Sequence, residues 1–360
     1  MSNNQQVRRL FVRLGELKLT MPEPPYLSLF KSGELTKRAA MLEARLADCD
    51  ICPHNCHKNR IAGETGFCGS GALPIVVSVC PHHGEEPPLS GTRGSGTIFF
   101  GNCNMRCVYC QNFQISQNPK AMRGTEIHSR TLAQHMIDLQ EQGCHNINFV
   151  SPSHFVPQIV RAVAEAVPLG LHIPLIYNTG GYDCVETLKM LDGIIDIYLP
   201  DIRYASNAVA WRYSRVRDYT ANNRAAIKDM YRQVGNLVMD ERGIAQRGLI
   251  VRHLVLPEKL AGSEVSLAWL AKEISPGVAL SVMAQYYPAH RACGYSPLDR
   301  RINEKEYDEV IALLTKLNID NGWVQDLESS DNYRPDFEKE GHPFERYPPA
   351  RPPRQTNTKP

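Results

Sequence analysis

From Gly96 onward the chain repeats one local pattern six times: a short apolar run, then a longer stretch of helical period. The runs are TIFFGNC (97–103), NINFVSP (146–152), IPLIYNTG (173–180), GIIDIYLPD (193–201), LIVRHLVLP (249–257) and VALSVMAQYYP (278–288). Runs of this length, rich in β-branched and aromatic residues, suit buried strands. Between and after them lie helical patterns: RTLAQHMIDLQEQG, FVPQIVRAVAEAV, VETLKMLDG, the polar stretch 207–236, SLAWLAKEIS and KEYDEVIALLTKLN. Gly143 and Gly193 fall where a helix would stop before the next strand. Strands alternating with helices build a parallel sheet through right-handed crossovers. Six units are too few for a closed eight-stranded barrel. The expected fold is therefore α/β, a partial (β/α)6 TIM-type barrel or a doubly wound sheet. Either places a functional site at the carboxyl ends of the strands. The polar residues there are Cys103, Ser151, Asn178, Asp201, Arg252 and Tyr286.

The flanks read differently. Residues 1–48 are expected to be a polar, helical extension, with LTKRAAMLEARLADC its best helix. Residues 49–95 form a cysteine-rich segment and loop, in which IVVSV is followed by His82, His83, Glu85 and Glu86. Those four residues could bind a metal, but a solvated loop near the barrel mouth is the preferred reading. The barrel is expected over 96–328, and the proline-rich, charged tail 329–360 is expected to be disordered.

Lys and Arg total 40 and Asp and Glu 38, a net charge of +2, which offers no footprint for nucleic acid or an acidic membrane. No apolar run approaches the ~20 residues of a membrane span. The amino terminus lacks the apolar core of a secretory signal, so a cytoplasmic location is expected. Seven of the 11 cysteines fall into two sets at ligand-like spacing. Without a secretory signal, such clustering points to metal ligation rather than disulfides. Cys80, Cys144 and Cys184 have no partner at such spacing and are expected to be packed thiols.

Cys103, Cys107 and Cys110 follow the first barrel strand in a C-x3-C-x2-C spacing. Thiolates select iron–sulfur clusters or zinc. Three thiolates on a cubane cluster leave one iron open to a substrate or cofactor. Cys49, Cys52, Cys56 and Cys68 supply four thiolates of their own, suited to a closed zinc site or a second iron–sulfur cluster. A closed site would stabilise a segment too small for its own core.

The signature CNMRCVYC, with Tyr109 before the last cysteine, resembles the radical S-adenosylmethionine superfamily. The longer pattern GEEPPLSGTRGSGTIFFGNCNMRCVYCQN, with GCHNINFVSPSH, YNTGGYD, LPDIRY and VRHLVLP, is similar to the pyruvate formate-lyase activating enzymes and their PflX-like branch. The resemblance runs over about residues 49–325. It implies a partial barrel with a [4Fe-4S] cluster on Cys103, Cys107 and Cys110, whose open iron is chelated by S-adenosyl-L-methionine. Reductive cleavage of that cofactor then generates a 5′-deoxyadenosyl radical that abstracts hydrogen. It also implies a protein or peptide substrate, with a glycyl-radical enzyme as the best precedent, and an electron donor such as flavodoxin or ferredoxin. Rival readings are a radical maturase of a peptide or small molecule, and a non-catalytic iron–sulfur or zinc electron-transfer protein.

Residue by residue, the resemblance sets Tyr109 against the adenine. Where the superfamily commonly has a Gly-Gly-Glu turn, this chain has VSPSH, leaving Ser151, Ser153 and His154 as substitutes. Asn178 and Thr179 stand in a reordered Thr-Asn-Gly turn, with Gly180 and Gly181 permitting close backbone approach. Asp201 and Arg203 match an Asp-x-Lys with Arg in place of Lys, and Arg252 matches the activase Arg. In QYYPAHRACGY, Tyr286, Tyr287, His290 and Cys293 occupy the loop that reaches the substrate, with Cys293 read as inert. The family's auxiliary cysteines follow the radical motif, whereas the Cys49–Cys68 set precedes it.

Overall fold

A computed structural model describes residues 7–10, 23–118, 124–327, 335–338 and 342–344. In chain order, the elements before the three-cysteine loop are β1 (Val7–Leu10), α1 (Pro25–Lys31), α2 (Glu34–Ala44), β2 (Ile75–His82), α3 (Pro87–Ser90) and β3 (Ser95–Phe100). After it come α4 (Phe113–Gln117), β4 (Thr125–Glu126), α5 (Ser129–Glu141), β5 (Ile147–Val150), α6 (Val156–Ala166), β6 (Leu175–Thr179), α7 (Val185–Lys189) and β7 (Ile197–Pro200). The last third contains α8 (Asn207–Ser214), α9 (Tyr219–Val234), β8 (Val238–Met239), β9 (Ala245–Leu254), α10 (Ser263–Glu273), β10 (Ala279–Met283), α11 (Glu304–Lys316) and β11 (Gly322–Gln325).

The sheet runs β1-β11-β10-β9-β7-β6-β5-β3-β2-β4. Strand β8 lies off this path and pairs antiparallel with β9. From β3 to β11 neighbouring strands in this order are all parallel. Their order rises along the chain without reversal. A doubly wound sheet reverses at its switch point, so this one is singly wound, and its two ends leave the barrel open. The six strands expected from sequence are all present, and β11 adds a seventh parallel strand. GWVQ is only four residues long, too short to register as an apolar run.

Two further differences have local causes. Val7–Leu10 pairs antiparallel with β11 instead of continuing a helix, because a neighbouring strand offers backbone partners that an isolated amphipathic stretch lacks. The stretch 207–236 divides into α8 and α9, since Arg215 and Asp218 adopt left-handed backbone conformations between them.

Alternation along the strands decides what the barrel encloses. Phe100, Phe149, Tyr177, Tyr198, Val251 and Val282 belong to the large core shared with the helices. The opposite face carries a smaller apolar cluster that includes Ile176, Ile197, Leu199, Ile250, Ala279 and Trp323. One pleat further along, the same face turns polar: Asn178 follows Ile176, Asp201 follows Leu199, Arg252 follows Ile250, Ser281 follows Ala279 and Gln325 follows Trp323. The interior is thus plugged toward the amino ends of the strands and polar at their carboxyl ends.

Helix α2 packs against α6 and α1 against α2. The Tyr26 hydroxyl donates to the Ile173 carbonyl at 2.9 Å, and Arg161 Nε pairs with Glu43 at 3.0 Å. At the base of the barrel Asp196 is 3% exposed and accepts a hydrogen bond from the Leu175 amide at 2.9 Å. Burial raises its carboxyl to about 7. A carboxyl whose pKa is raised on folding adds stability that is lost as pH rises through that value. The native protein should therefore lose up to about 1.4 kcal/mol per pH unit from this group between pH 5 and 7. Asp196→Asn should remove that slope, as checked by denaturant midpoints of both chains across this range.

Candidate functional site

The loop from β3 to α4 carries Cys103, Cys107 and Cys110, and neighbouring elements hold it by its backbone. The Asn102 amide donates to the Ile115 carbonyl at 2.9 Å, the Arg106 amide to Ser214 at 2.9 Å, and the Val108 amide to Tyr213 at 2.8 Å. The residues between the cysteines are nearly all buried, Met105, Val108 and Tyr109 at 3%, 1% and 2% exposed. A loop without regular structure can hold one shape only when its polar backbone groups are paired in this way.

All three thiols line one cavity of about 230 Å³ at the carboxyl ends of the strands. Each sulfur meets a polar neighbour. The Met105 amide donates to Cys103 Sγ at 3.4 Å, Ser214 Oγ donates to Cys107 Sγ at 2.9 Å, and Ser116 Oγ lies 3.3 Å from Cys110 Sγ. Arg203 Nη1 stands 3.9 Å from Cys107 Sγ. Burial, reinforced by the neighbouring thiolate charges, pushes Cys103 up to about 12 and Cys110 up to about 11. At neutral pH both therefore ionise only against a bound cation.

Among the described residues, no three His, Cys, Asp or Glu side chains are gathered into a finished metal site. The donor chemistry nonetheless fits an iron–sulfur cluster: three soft sulfurs, each already next to a hydrogen-bonding group, on the wall of one polar cavity. Arg203 Nε is buried in that wall without a partner. Behind Cys107 runs a buried relay, in which Ser214 Oγ bonds the Tyr204 hydroxyl at 2.7 Å and Tyr204 bonds the Tyr109 hydroxyl at 2.5 Å.

The cavity wall also contains residues that the sequence placed in a solvated loop. Glu85 and Glu86 are buried carboxylates, with side chains 8% and 5% exposed. Arg252 Nε donates to Glu86 at 2.7 Å, Arg252 Nη2 donates to Glu86 at 2.7 Å and also pairs with Glu85, and Nη1 reaches Asn178 Oδ1 at 3.3 Å. Burial pushes the Glu85 carboxyl above its ordinary range, while the bonds from Arg252 outweigh burial at Glu86 and hold it below. Arg252 also lines the cavity, where it is ion-paired with these two carboxylates and bonded to Asn178. His82 is buried too, and desolvation lowers it to about 3, so it is neutral.

Other expected residues divide between the cavity and the structure behind it. Ser151, Asn178, Thr179, Asp201 and Arg203 line the cavity, and Asp201 pairs with Arg203. Ser153 is turned away and hydrogen-bonds Thr179 Oγ1 at 3.0 Å. Thr179 in turn donates to Asp183 at 2.7 Å, and Tyr177 donates to the other oxygen of Asp183 at 2.8 Å. His154 bonds the Gly101 carbonyl at 3.1 Å, and burial keeps it neutral. A methyl group at Gly180 would meet Met105 Sδ at 2.8 Å, and one at Gly181 would meet the Asp201 carbonyl at 2.2 Å. The close approach expected at this pair is therefore to the cysteine loop and to β7.

Tyr286 is absent from the cavity wall. Its hydroxyl donates to the Leu298 carbonyl at 2.6 Å and its ring packs edge-on against Tyr109. Tyr109 itself reaches the wall but spends its hydroxyl on Tyr204. His290 stacks on Phe113 with ring centroids 5.0 Å apart, and Cys293 is exposed.

Much of the tail lies outside the described residues, but the parts that are described are packed. Phe337 joins Cys80, Phe99, Ile115 and Val150 in one buried cluster, and Pro335 and Phe344 line the cavity. Phe344 packs on His82 with ring centroids 4.0 Å apart, and His342 Nε2 lies 2.6 Å from the Pro81 carbonyl. Sequence reading set Glu85 and Glu86 in a solvated loop and passed over Tyr204, Ser214, Ser281 and these tail aromatics. For Ser281 and Gln325 a usable signal existed, since both follow an inward apolar residue by one pleat.

No family model matches the chain. It is 30% identical over 288 residues to the uncharacterized protein MJ0674 of Methanocaldococcus jannaschii, with 76% of each chain covered. It is 35% identical over 99 residues to the uncharacterized protein MJ0808 of the same organism, covering 23% of this chain and 29% of that protein. Streptococcus suis SuiB, solved bound to the precursor peptide SuiA, superposes with a TM-score of 0.43 at 10% identity. The alignment covers 64% of this chain and 48% of SuiB, so the chain spans about half of that structure.

Arg252→Met should leave two buried carboxylates unneutralised, at a cost of about 3–5 kcal/mol near neutral pH. Without the guanidinium the carboxyls rise together, so the deficit should shrink as pH falls toward 5 and a proton is taken up. Urea titrations of both proteins at pH 5.5 and pH 8 check the sign.

Proposed function

The chain belongs to the family of the archaeal protein MJ0674, and for a member built in this way we propose the activity of a radical S-adenosylmethionine enzyme. The observation that carries this reading is the shared cavity: three loop thiols face it together with the polar carboxyl ends of the parallel strands. A [4Fe-4S] cluster with S-adenosyl-L-methionine would supply reductive cleavage of the sulfonium and hydrogen abstraction.

The chain's own residues do the rest. Cys103, Cys107 and Cys110 hold the cluster, and the Met105 amide, Ser214 and Ser116 stabilise negative charge on their sulfurs. Asp201 and Arg203 present one carboxylate and one guanidinium in the cavity wall, the complement of a zwitterionic amino-acid head group. Ser151, Asn178 and Thr179 add neutral polar contacts. The plug of Ile176, Ile197, Leu199 and Trp323 closes the base, so substrate enters at the carboxyl ends. Phe344 and Pro335 line part of the wall.

The substrate in this reading is a protein or peptide, with a glycyl-radical enzyme as the activase-like partner. Reducing equivalents come from a flavodoxin or ferredoxin. After anaerobic reconstitution the native chain should form 5′-deoxyadenosine under reductant and change its paramagnetic spectrum when S-adenosylmethionine is added. Cys107→Ala should lower product formation at least 100-fold. A spectrum indifferent to the cofactor, with no product from the iron-loaded chain, would overturn the assignment.

A further inference from the structure

Residues 49–71 contain no helix and no strand, yet they bury Cys49, Cys52 and Cys68 at 5%, 8% and 7% exposure, with Cys56 half-buried. A segment this short cannot order itself by hydrophobic burial alone. We propose that Cys49, Cys52, Cys56 and Cys68 form a closed structural zinc site, and that this site is the buttress of the Cys103 loop.

None of the four cysteines is in a disulfide. Cys49, Cys56 and Cys68 all lie close enough to act electrostatically on Cys52, and Cys56 hydrogen-bonds Cys49. The backbone brings them there. The Cys49 amide donates to the Lys58 carbonyl at 3.1 Å, the His57 amide returns to Cys49 at 3.0 Å, and the Asn55 amide closes a turn on Cys52 at 3.0 Å. Among the described residues the four thiols are not gathered into a finished metal site, and binding of the ion would be coupled to loss of their protons.

Two observations favour a single ion over a second cubane cluster. None of the four lines the cavity that Cys103, Cys107 and Cys110 share. The packing beside Cys56 is also tight, since a methyl group at Gly66 would sit 2.4 Å from its sulfur. Zinc needs no more room than the gap between four sulfurs at ~2.3 Å, whereas a cubane adds four irons and four sulfides.

Arg60 supplies an independent argument. Its side chain is 1% exposed and bonds the carbonyls of Gly71 at 2.9 Å and His154 at 2.7 Å, with Nη1 3.9 Å from Cys49 Sγ. Nη2 has no partner, and no carboxylate pairs with this guanidinium among the described residues. A buried cation needs a countercharge, and zinc bound by four thiolates is net anionic.

The buttress follows from where the anchors sit. His54, between Cys52 and Cys56, has its Nε2 2.8 Å from the Asn104 carbonyl. Phe67, next to Cys68, stacks on His54 at 3.9 Å and accepts from Arg106 Nη2 through its carbonyl at 2.8 Å. Ser70 Oγ accepts from Asn102 Nδ2 at 3.0 Å. Every anchor to the catalytic loop is thus within two residues of a zinc ligand.

Metal analysis of the full chain, purified anaerobically, tests this. We expect about one zinc per chain, retained in the Cys103→Ala/Cys107→Ala/Cys110→Ala variant and lost in Cys52→Ala. Because the buttress rests on the cluster reading, iron loading of Cys52→Ala should also fall by more than half. Should that variant fail to fold, alkylation of the native chain decides: Cys49, Cys52, Cys56 and Cys68 should resist until a mercurial releases zinc to a chromogenic chelator. Early alkylation of the four, zinc unaffected by Cys52→Ala, or about four extra irons in place of zinc in the triple variant, would each overturn the proposal. Zinc found without S-adenosylmethionine cleavage would leave the site standing and remove only the enzymatic reading.

Discussion

Everything in this protein hangs on a two-residue alternation that changes character at one level of the barrel. On β6, β7, β9, β10 and β11 the inward side chain is apolar, and one pleat later it is polar. Strands in parallel register place these changes side by side, so a floor and a polar chamber form together. A charged residue one pleat lower would sit in the plug without a partner, at a cost of several kcal/mol. The chamber's location therefore follows from packing before any chemistry is considered.

The chamber's wall has two parts with different electrostatic characters. In one, three thiols lie among hydrogen-bonding groups, next to an arginine that retains an unpaired donor, Arg203 Nε. In the other, Arg252 is engaged by Glu85, Glu86 and Asn178. Two arginines at comparable strand ends thus have different partners. Arg203 follows β7 and pairs with a single carboxylate two residues away. Arg252 lies inside β9 and faces β2's trailing loop, which brings two carboxylates from more than 160 residues away. In a low-dielectric setting each guanidinium takes the countercharge within reach, and that differs by position in the fold.

Long-range contacts also explain what lay beyond sequence reading. The segment 82–86 is rich in His, Gly and Glu, a composition typical of solvent-facing turns, yet the side chains of His82, Glu85 and Glu86 are buried because β2 extends the sheet antiparallel to β3 and carries them to the mouth. Phe337 and Phe344 sit in a charged, proline-rich tail, but Phe99 offers each an aromatic partner across more than 230 residues. Composition cannot report such pairings. Ser153 and Tyr286 illustrate the converse, polar residues in motif positions whose hydrogen bonds are completed by the structure behind the chamber.

What the sequence by itself determined is the six-fold strand–helix rhythm, the carboxyl-end placement of Cys103, Asn178, Asp201 and Arg252, and the grouping of cysteines into a three and a four. These are local properties, carried by periodicity and spacing within tens of residues. Only the tertiary structure decided between a singly wound and a doubly wound sheet, because strand order depends on which edges meet. It also decided that Arg252 pairs with Glu85 and Glu86. And it decided that the segment 49–71, by way of His54, Phe67 and Ser70, grips the loop bearing the other three cysteines. Those outcomes depend on which distant groups share one buried space, and their pairing free energies exist only once the chain has closed around them.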